Sequence, residues 1–194
     1  MRGIALAVLL AAPAGAETLP ALFRVTGVAA GDVLNIRAEP SAGAAILGSL
    51  PPDAAGVEVV AEQGGWGLVS AGEGAGWVKL SFLARQPDED WFALTQPLRC
   101  LGTEPFWSLG VEPATRVAVF PTPEAGDAFT TLTTLWPGED WWQEAAFALP
   151  DGFVTLTGGQ CSDGMSDRVF GIAIKLYRMG DAPAVLQGCC SLAP

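Results

Sequence analysis

The stretch from Gly31 to Leu83 constrains the fold more than any other part of the sequence, because its apolar residues alternate over very short runs. Leu34 and Ile36 alternate with polar neighbours, which is the period of two expected of a half-buried strand. Further short apolar runs follow, and each ends at glycine or proline; they are residues 46–50, 57–59, 66–69 and 76–78. Five short strands in about fifty residues predict a small β-barrel rather than a helical domain.

The same stretch resembles a known family. The runs L-N-I-R-A-E-P-S, G-G-W-G-L-V and G-W-V-K-L-S-F-L, within residues 24–84, are similar to the signature of bacterial SH3 domains. The sequence departs from that signature at Ile36, where the family has Val, and at Phe82, where it has Tyr. The resemblance implies an SH3-like barrel that acts as a binding module, with envelope ligands such as the peptidoglycan stem peptide.

The candidate ligand-binding residues of this region are aromatic and polar. They are Asn35, Arg37, Glu39, Trp66 and Trp77. Flat aromatic rings beside a few polar groups suit an extended peptide or a sugar chain. The resembling family usually packs its core at both tryptophan positions, so core packing is the favoured interpretation of each ring and ligand contact is the second.

The N-terminal residues predict export. Arg2 supplies a positive charge, residues 4–12 are apolar, and residues 14–16 (Ala-Gly-Ala) have the small-residue pattern of a cleavage site. We expect residues 1–16 to be a cleavable signal peptide, with a buried N-terminal helix as the alternative. The apolar run is too short to span a bilayer and no later run is long enough, so we expect a periplasmic or secreted protein without a transmembrane segment.

The charge balance disfavours some partners. The chain has 10 Lys and Arg residues against 21 Asp and Glu, and its net charge at pH 7 is −11. Nucleic acids and anionic lipid surfaces are disfavoured, because both are bound by clustered basic residues. A cationic partner would be attracted, although solubility is the preferred explanation of the acidity.

The four cysteines, Cys100, Cys161, Cys189 and Cys190, all lie in the second half of the chain. An even number in an exported protein predicts two disulfides. Adjacent residues on a strand point to opposite faces, so Cys189 and Cys190 each take one of the two remaining cysteines, in an order that the sequence leaves open. A four-thiolate zinc site is the alternative, weakened by the lack of a second close cysteine pair.

Short alternating runs also dominate the second half, and they predict seven or eight strands in an antiparallel barrel or sandwich. The fold class is therefore all-β. We predict an SH3-like domain at 17–84, a linker at 85–97 and a disulfide-bearing β domain at 98–194. Trp91 and Phe92 interrupt the linker and are expected to pack onto one of the domains. Residues 141–149 could form a helix, but a strand is favoured.

The second half carries its own motifs, which are C-x-G-x-E-P-F-W-x-L from Cys100, C-S-D-G-M-S-D from Cys161 and G-C-C from Gly188. Across residues 98–191 they are similar to an uncharacterised family of bacterial envelope proteins. This resemblance implies that the motifs belong to one domain with the cysteines as its framework. It implies no activity.

Catalytic chemistry has few candidates in this sequence. There is no histidine, which excludes histidine-dependent triads and metal sites. Glu104 with Asp163 or Asp167 could form a glycosidase-like carboxyl pair. Turn structure around these acids is the favoured interpretation, with Phe106 and Trp107 as core and rim residues of a strand. A hypothetical C-terminal surface motif contains Glu104, Trp107, Asp163, Asp167 and Arg168, with Asp167 and Arg168 expected to form a local charge pair.

Calcium binding by residues 161–167 is a further alternative, but the EF-hand spacing is missing. We therefore predict no metal and no cofactor. The expected function is non-catalytic binding of a peptidoglycan peptide or an envelope protein by the SH3-like domain. The alternatives are an inhibitor that inserts a C-terminal loop into an envelope enzyme, a hydrolase, and a scaffold without its own ligand.

Overall fold

The computed structural model describes residues 18–121 and 126–192. The predicted signal peptide lies outside these residues. Strands dominate the described chain, and its helical elements are single 3-10 turns at Leu80–Phe82, Trp91–Ala93 and Pro113–Thr115. The predicted all-β fold class is confirmed.

From residue 18 onwards, where the structure describes it, the first half has eight strands: β1 (Ala21–Val25), β2 (Leu34–Arg37), β3 (Ile46–Leu50), β4 (Val57–Val59), β5 (Ala61–Gln63), β6 (Trp66–Ala71), β7 (Gly74–Lys79) and β8 (Leu83–Arg85). They make a three-stranded sheet in the order β4-β1-β8 and a five-stranded sheet in the order β3-β2-β7-β6-β5. Phe23, Ile36 and Val78 from the two sheets share one buried core. The five predicted strands are β2, β3, β4, β6 and β7.

In the described part of the second half, residues 98–121 and 126–192, there are nine antiparallel strands: β9 (Leu98–Thr103), β10 (Phe106–Glu112), β11 (Val117–Phe120), β12 (Ala128–Thr131), β13 (Thr134–Trp136), β14 (Glu144–Leu149), β15 (Gly152–Cys161), β16 (Phe170–Arg178) and β17 (Ala184–Leu192). Their order is β12-β11-β10-β9-β17-β16-β15-β14-β13, which places β17 at the centre of the sheet.

The two edges of this sheet meet. Its edge strands, β12 and β13, are consecutive in the chain and are separated only by Leu132 and Thr133. The Leu132 N–H donates to Arg116 O (2.9 Å) and the Thr133 N–H donates to Ala148 O (2.9 Å), at opposite edges of the sheet. The sheet therefore curls into a barrel, not a sandwich. The threonine-rich run 129–135 is therefore divided between β12 and β13, because the chain changes edge at this point.

Apolar side chains fill the barrel, and the predicted linker contributes to them. Trp91 and Phe92 are 1% and 4% exposed and belong to the same core as Phe147 and Leu156. The Phe92 carbonyl accepts a hydrogen bond from the Gly138 N–H (2.9 Å). The predicted packing of both aromatic residues is confirmed, and the domain on which they pack is the second one.

The strand predicted over 141–149 begins only at Glu144. Trp141 and Trp142 precede it in a turn and are 82% and 72% exposed. The helix alternative is wrong, and the strand interpretation is right from Glu144 onwards.

The two disulfides join Cys100 to Cys190 and Cys161 to Cys189. Cys100 and Cys190 are paired residues on neighbouring strands and lie in the barrel core. Cys189 faces the other side of β17, where Cys161 ends β15. The prediction of two disulfides, one from each of the adjacent cysteines, is confirmed.

The two halves contact each other through hydrogen bonds and side-chain packing. Leu22 of β1 reaches the core of the second half, and Pro20 packs against Gly171 of β16. The hydrogen bonds between the halves are Ser70 Oγ to Val169 O (2.9 Å), Asp167 N to Glu73 O (3.1 Å) and Leu192 N to Glu58 Oε1 (2.9 Å).

We predict unequal losses when the disulfides are removed singly. The bridges span 90 and 28 residues for Cys100–Cys190 and Cys161–Cys189. Loop-closure entropy predicts a loss of about 4.6 kcal/mol for C100A/C190A and about 3.6 kcal/mol for C161A/C189A. Because the Cys100–Cys190 bridge also fills core volume, urea denaturation should show a clearly larger loss of stability for C100A/C190A than for C161A/C189A. Thiol titration confirms that the other bridge is intact in each variant. A larger loss for C161A/C189A would contradict the prediction.

Candidate functional site

The first candidate site is the outer face of the five-stranded sheet, which we call the tryptophan face. Strand register defines it by two cross-strand rows: Ile46–Arg37–Trp77–Leu68–Ala61 and Lys79–Trp66–Gln63. Ile36, Val69 and Val78 point to the opposite side, into the core. Two separate hairpins thus bring both tryptophans onto one surface.

The favoured prediction that both tryptophans pack in the core is wrong. Trp66 and Trp77 are half-buried and are not part of the buried core of this half. Between them lies Leu68, which is only 8% exposed although it faces outwards. Its neighbours on this face are Trp66, two residues earlier on β6, and Trp77, directly opposite on β7. The rings therefore form a continuous apolar surface with Leu68.

Two cations flank this surface. The Lys79 ammonium lies 5.3 Å from the centre of the Trp66 ring, within the range of a cation–π interaction. Arg37 stands opposite Trp77, and its guanidinium donates to Ala44 O (2.8 Å). Arg37 and Lys79 are the charged side chains of the two rows, so this face is locally basic in an acidic protein.

The remaining predicted residues of this site lie at its margin. Asn35 is half-buried and alternates with the core residues Leu34 and Ile36, so it shares the outer face with Arg37. Glu39 is exposed in the turn after β2, outside both rows. Lys79 was missed by sequence reasoning; its pairing with Trp66 follows only once the turn between β6 and β7 is known.

The second candidate site is formed by the motifs of the second half. The Trp107 indole lies across the backbone at Gly102 and Gly188, where any Cβ would overlap the ring or a neighbouring carbonyl oxygen. Its Nε1–H donates to Gln187 O (3.3 Å). Only glycine at positions 102 and 188 leaves room for this ring. The motifs that contain Gly102, Trp107 and Gly188 therefore lie together.

The loop after Cys161 is braced by its own side chains. One oxygen of Asp163 accepts the N–H groups of Met165 (3.0 Å) and Ser166 (2.9 Å), and the other accepts the Ser166 hydroxyl (2.8 Å). These bonds, led by the Met165 N–H, lower the pKa of Asp163 below 3.8. Thr103 Oγ1 donates to Asp163 O (2.8 Å) and so ties the β9–β10 hairpin to this loop.

The placement of Phe106 differs from the sequence interpretation. Phe106 is 75% exposed and is not a core residue, whereas Trp107 is half-buried at the rim as expected. Glu104, beside it, is exposed at the hairpin tip. Glu104 and Asp163 line one open depression, but Asp163 is already engaged by its own turn. Met165, 67% exposed, lines the same depression and was not singled out from the sequence.

The predicted pair between Asp167 and Arg168 is not formed. Among the described residues the ion pairs are Arg85–Asp90 (2.5 Å) and Arg99–Glu112 (2.9 Å). Arg168 instead lies over the Phe170 ring, 5.1 Å from its centre, and its Nε is buried without a hydrogen-bond partner.

Among the described residues, Glu58 has a strongly raised pKa that the sequence did not reveal. It extends from β4 to the Leu192 N–H of β17 and lines a small pocket between the halves together with Arg168. Burial raises the pKa of Glu58 from 4.5 to about 7, and the Leu192 hydrogen bond and the charge of Arg168 oppose that rise only partly. The pattern of β4 predicts that Glu58 faces away from the first core, but not that the second half covers it.

Comparison with known proteins supports the SH3 resemblance that the sequence predicts for the first half. Residues 32–84 match the model of the bacterial SH3 domain family. No curated protein and no solved structure matches the chain. The likeness of residues 98–191 to an envelope protein family therefore stays a prediction.

The described residues contain neither a metal-binding cluster nor a helix that could cross a membrane. No group of three or more Cys, Asp or Glu side chains in this part of the chain is arranged to hold a metal ion. No helix within residues 18–121 and 126–192 is long and apolar enough to cross a membrane.

We predict that Glu58 makes the protein less stable as the pH rises. The folded protein keeps a proton on Glu58 up to about pH 7, whereas an unfolded chain releases it near 4.5. The free energy of unfolding should therefore fall between these values, by up to about 3 kcal/mol. Glu58→Gln keeps the acceptor for Leu192 N–H and should flatten this dependence in urea denaturation between pH 5 and pH 8.

The matched control is Glu62→Gln, an exposed carboxyl on the next strand, which should retain the wild-type dependence. If Glu58→Gln showed the same pH profile as the wild type, the buried carboxyl would not be its cause.

Proposed function

We propose that this chain is an exported, non-catalytic binding protein of the bacterial cell envelope whose tryptophan face holds a cell-wall peptide. The match of residues 32–84 to the bacterial SH3 domain supports a wall-binding module. The observation that carries the proposal is the pair Trp66 and Trp77, which lie half-buried outside the core on one surface with Leu68 between them.

The shape and charge of the tryptophan face suit an extended peptide. Cross-strand rows supply a flat platform on which rings and aliphatic segments of a ligand can pack. Arg37 and Lys79 add positive charge beside the rings and favour a peptide that carries carboxylates. Stem peptides of the wall combine an extended backbone with such groups, which is why we choose them over a neutral glycan.

The arrangement of acidic groups supports binding rather than catalysis. A glycosidase-like pair requires one carboxyl with a raised pKa and a second that faces the same bond. Asp163, the partner suggested for Glu104, accepts three hydrogen bonds from its own loop, so its oxygens are turned towards that loop and not towards a substrate bond. Glu58 has a raised pKa but is covered by Leu192 between the halves.

Both disulfides support an oxidising compartment such as the periplasm or the cell exterior. The signal-peptide pattern of residues 1–16 points to the same compartment. An envelope protein is the alternative ligand of the tryptophan face, and an inhibitor or hydrolase role of the second half stays a separate prediction.

We predict that the purified protein co-sediments saturably with isolated peptidoglycan and that Trp66→Ala/Trp77→Ala weakens this binding at least about tenfold. Removal of both rings deletes the apolar surface on which the peptide would pack. Urea denaturation and circular dichroism establish that the variant is folded.

Trp141→Ala/Trp142→Ala is the matched control. It removes two exposed tryptophans that lie in the second half, away from the tryptophan face, and should leave binding unchanged. The proposal fails if the wild type does not sediment with the wall, or if the two double variants lose binding equally.

A further inference from the structure

We propose that Phe106 and Met165, together with the depressions on either side of them, form a docking surface for a protein partner that presents a basic and partly apolar segment. This apolar ridge lies on the second half and is separate from the tryptophan face. The inference goes beyond the proposed function, because it assigns the motifs of the second half a ligand of a different class.

The ridge exposes two large apolar side chains next to each other. Phe106 is 75% exposed and Met165 is 67% exposed, and the two line the same two depressions. One depression, of about 870 Å³, extends over the outer faces of β15, β16 and β17. The other, of about 670 Å³, reaches the β6–β7 turn at Glu73. Contiguous exposed apolar surface of this kind marks interaction sites.

The framework under the ridge is fixed. The hairpin that carries Phe106 is tied to the Met165 loop by the bond from Thr103 Oγ1 to Asp163 O (2.8 Å). The same loop is closed by the Cys161–Cys189 disulfide at its start. The Asp167 N–H, at its end, donates to Glu73 O (3.1 Å). A partner would therefore meet anchors that are already ordered, which lowers the entropic cost of binding.

The charge around the ridge selects the partner. Four carboxylates line the two depressions, from Glu73, Glu104, Asp127 and Asp163, against one cation, Lys175. This local excess of negative charge adds to a net charge of −11 and attracts a basic segment over long distance.

The same charge argues against other occupants. A second copy of this chain docked ridge to ridge would bring two equally acidic surfaces into contact, and like charges at an interface are unfavourable. Nucleic acid and anionic lipid are repelled for the same reason. Both depressions are open to solvent, which suits a protein surface better than a small ligand that must be enclosed.

The test observes the ridge directly. Protein labelled with ¹³C at the methionine methyl groups is titrated with a short peptide in which lysine alternates with leucine. Met165 precedes β16 and lies on the ridge, whereas Met179 follows β16 and serves as an internal reference. We expect a saturable shift of the Met165 methyl signal, an unchanged Met179 signal, and a weakening of binding as salt is added.

Two further peptides separate the contributions to binding. Replacement of lysine by glutamate tests charge and should abolish the shift, and replacement of leucine by serine tests the apolar contribution and should weaken it. Phe106→Ser should lower affinity for the lysine–leucine peptide at least about tenfold. Phe82→Ser is the matched control, since Phe82 is an exposed phenylalanine of the first half and its loss should leave affinity unchanged.

The proposal is overturned if the Met165 signal does not move, if the glutamate peptide binds as tightly as the lysine peptide, or if Phe106→Ser has no effect in a variant that keeps both disulfides. Sedimentation velocity tests whether a second copy of this chain occupies the ridge instead. Wild-type dimers that Phe106→Ser converts to monomers would identify the ridge as a contact between copies of this chain and would overturn the proposal of a basic partner.

Discussion

The structure of the second half depends on the two neighbouring cysteines of β17, the central strand of the barrel sheet. Because adjacent residues of a strand face opposite sides, Cys190 bonds inwards to Cys100 while Cys189 bonds outwards to Cys161. One strand is thereby fixed to the core and to the surface loop together. The same strand also ends at Leu192, whose N–H binds Glu58 of the first half. Core, surface loop and contact between the halves thus share one strand.

The conformation of the surface loop after Cys161 is fixed at its start, middle and end. The outer disulfide holds the start of the loop, the Asp163 turn sets its course, and the Glu73 carbonyl holds its end. The loop is held by a disulfide and hydrogen bonds and not by the burial of its apolar side chains. A large apolar side chain can therefore remain exposed while the loop stays ordered. Met165 is placed in this way, and Phe106 reaches it through the tie between Thr103 and Asp163. The ridge is a consequence of polar bracing, because apolar collapse would have buried both side chains.

Periodicity predicted the all-β fold and most of the strands. Alternation along a strand also predicted that Cys189 and Cys190 take separate partners, although not which partner each one takes. The core prediction for Trp66 and Trp77 rested on the family resemblance, and alternation could not correct it because both phases of β6 and β7 carry apolar residues. The core positions beside them are glycines: at Gly67 a Cβ would meet Val59 and Leu80, and at Gly76 it would meet Ile36. A pattern that scores apolar side chains assigns the large rings to the core and overlooks glycines that allow neighbours to fill it. The raised pKa of Glu58 was missed for another reason. It depends on the contact between the two halves, and such a contact leaves no periodic pattern in the sequence.

The two surfaces differ in the sign of their local charge, and this difference limits what one ligand can do. Arg37 and Lys79 make the tryptophan face basic, while carboxylates such as Glu104 and Asp127 make the ridge acidic. A ligand that suits one surface is repelled by the other, so the surfaces would not compete for the same molecule. Hydrogen bonds between the halves connect both surfaces through one continuous structure. Taken together, the two proposals describe a chain that holds a basic protein partner next to the acidic peptides of the wall, a role that requires both halves.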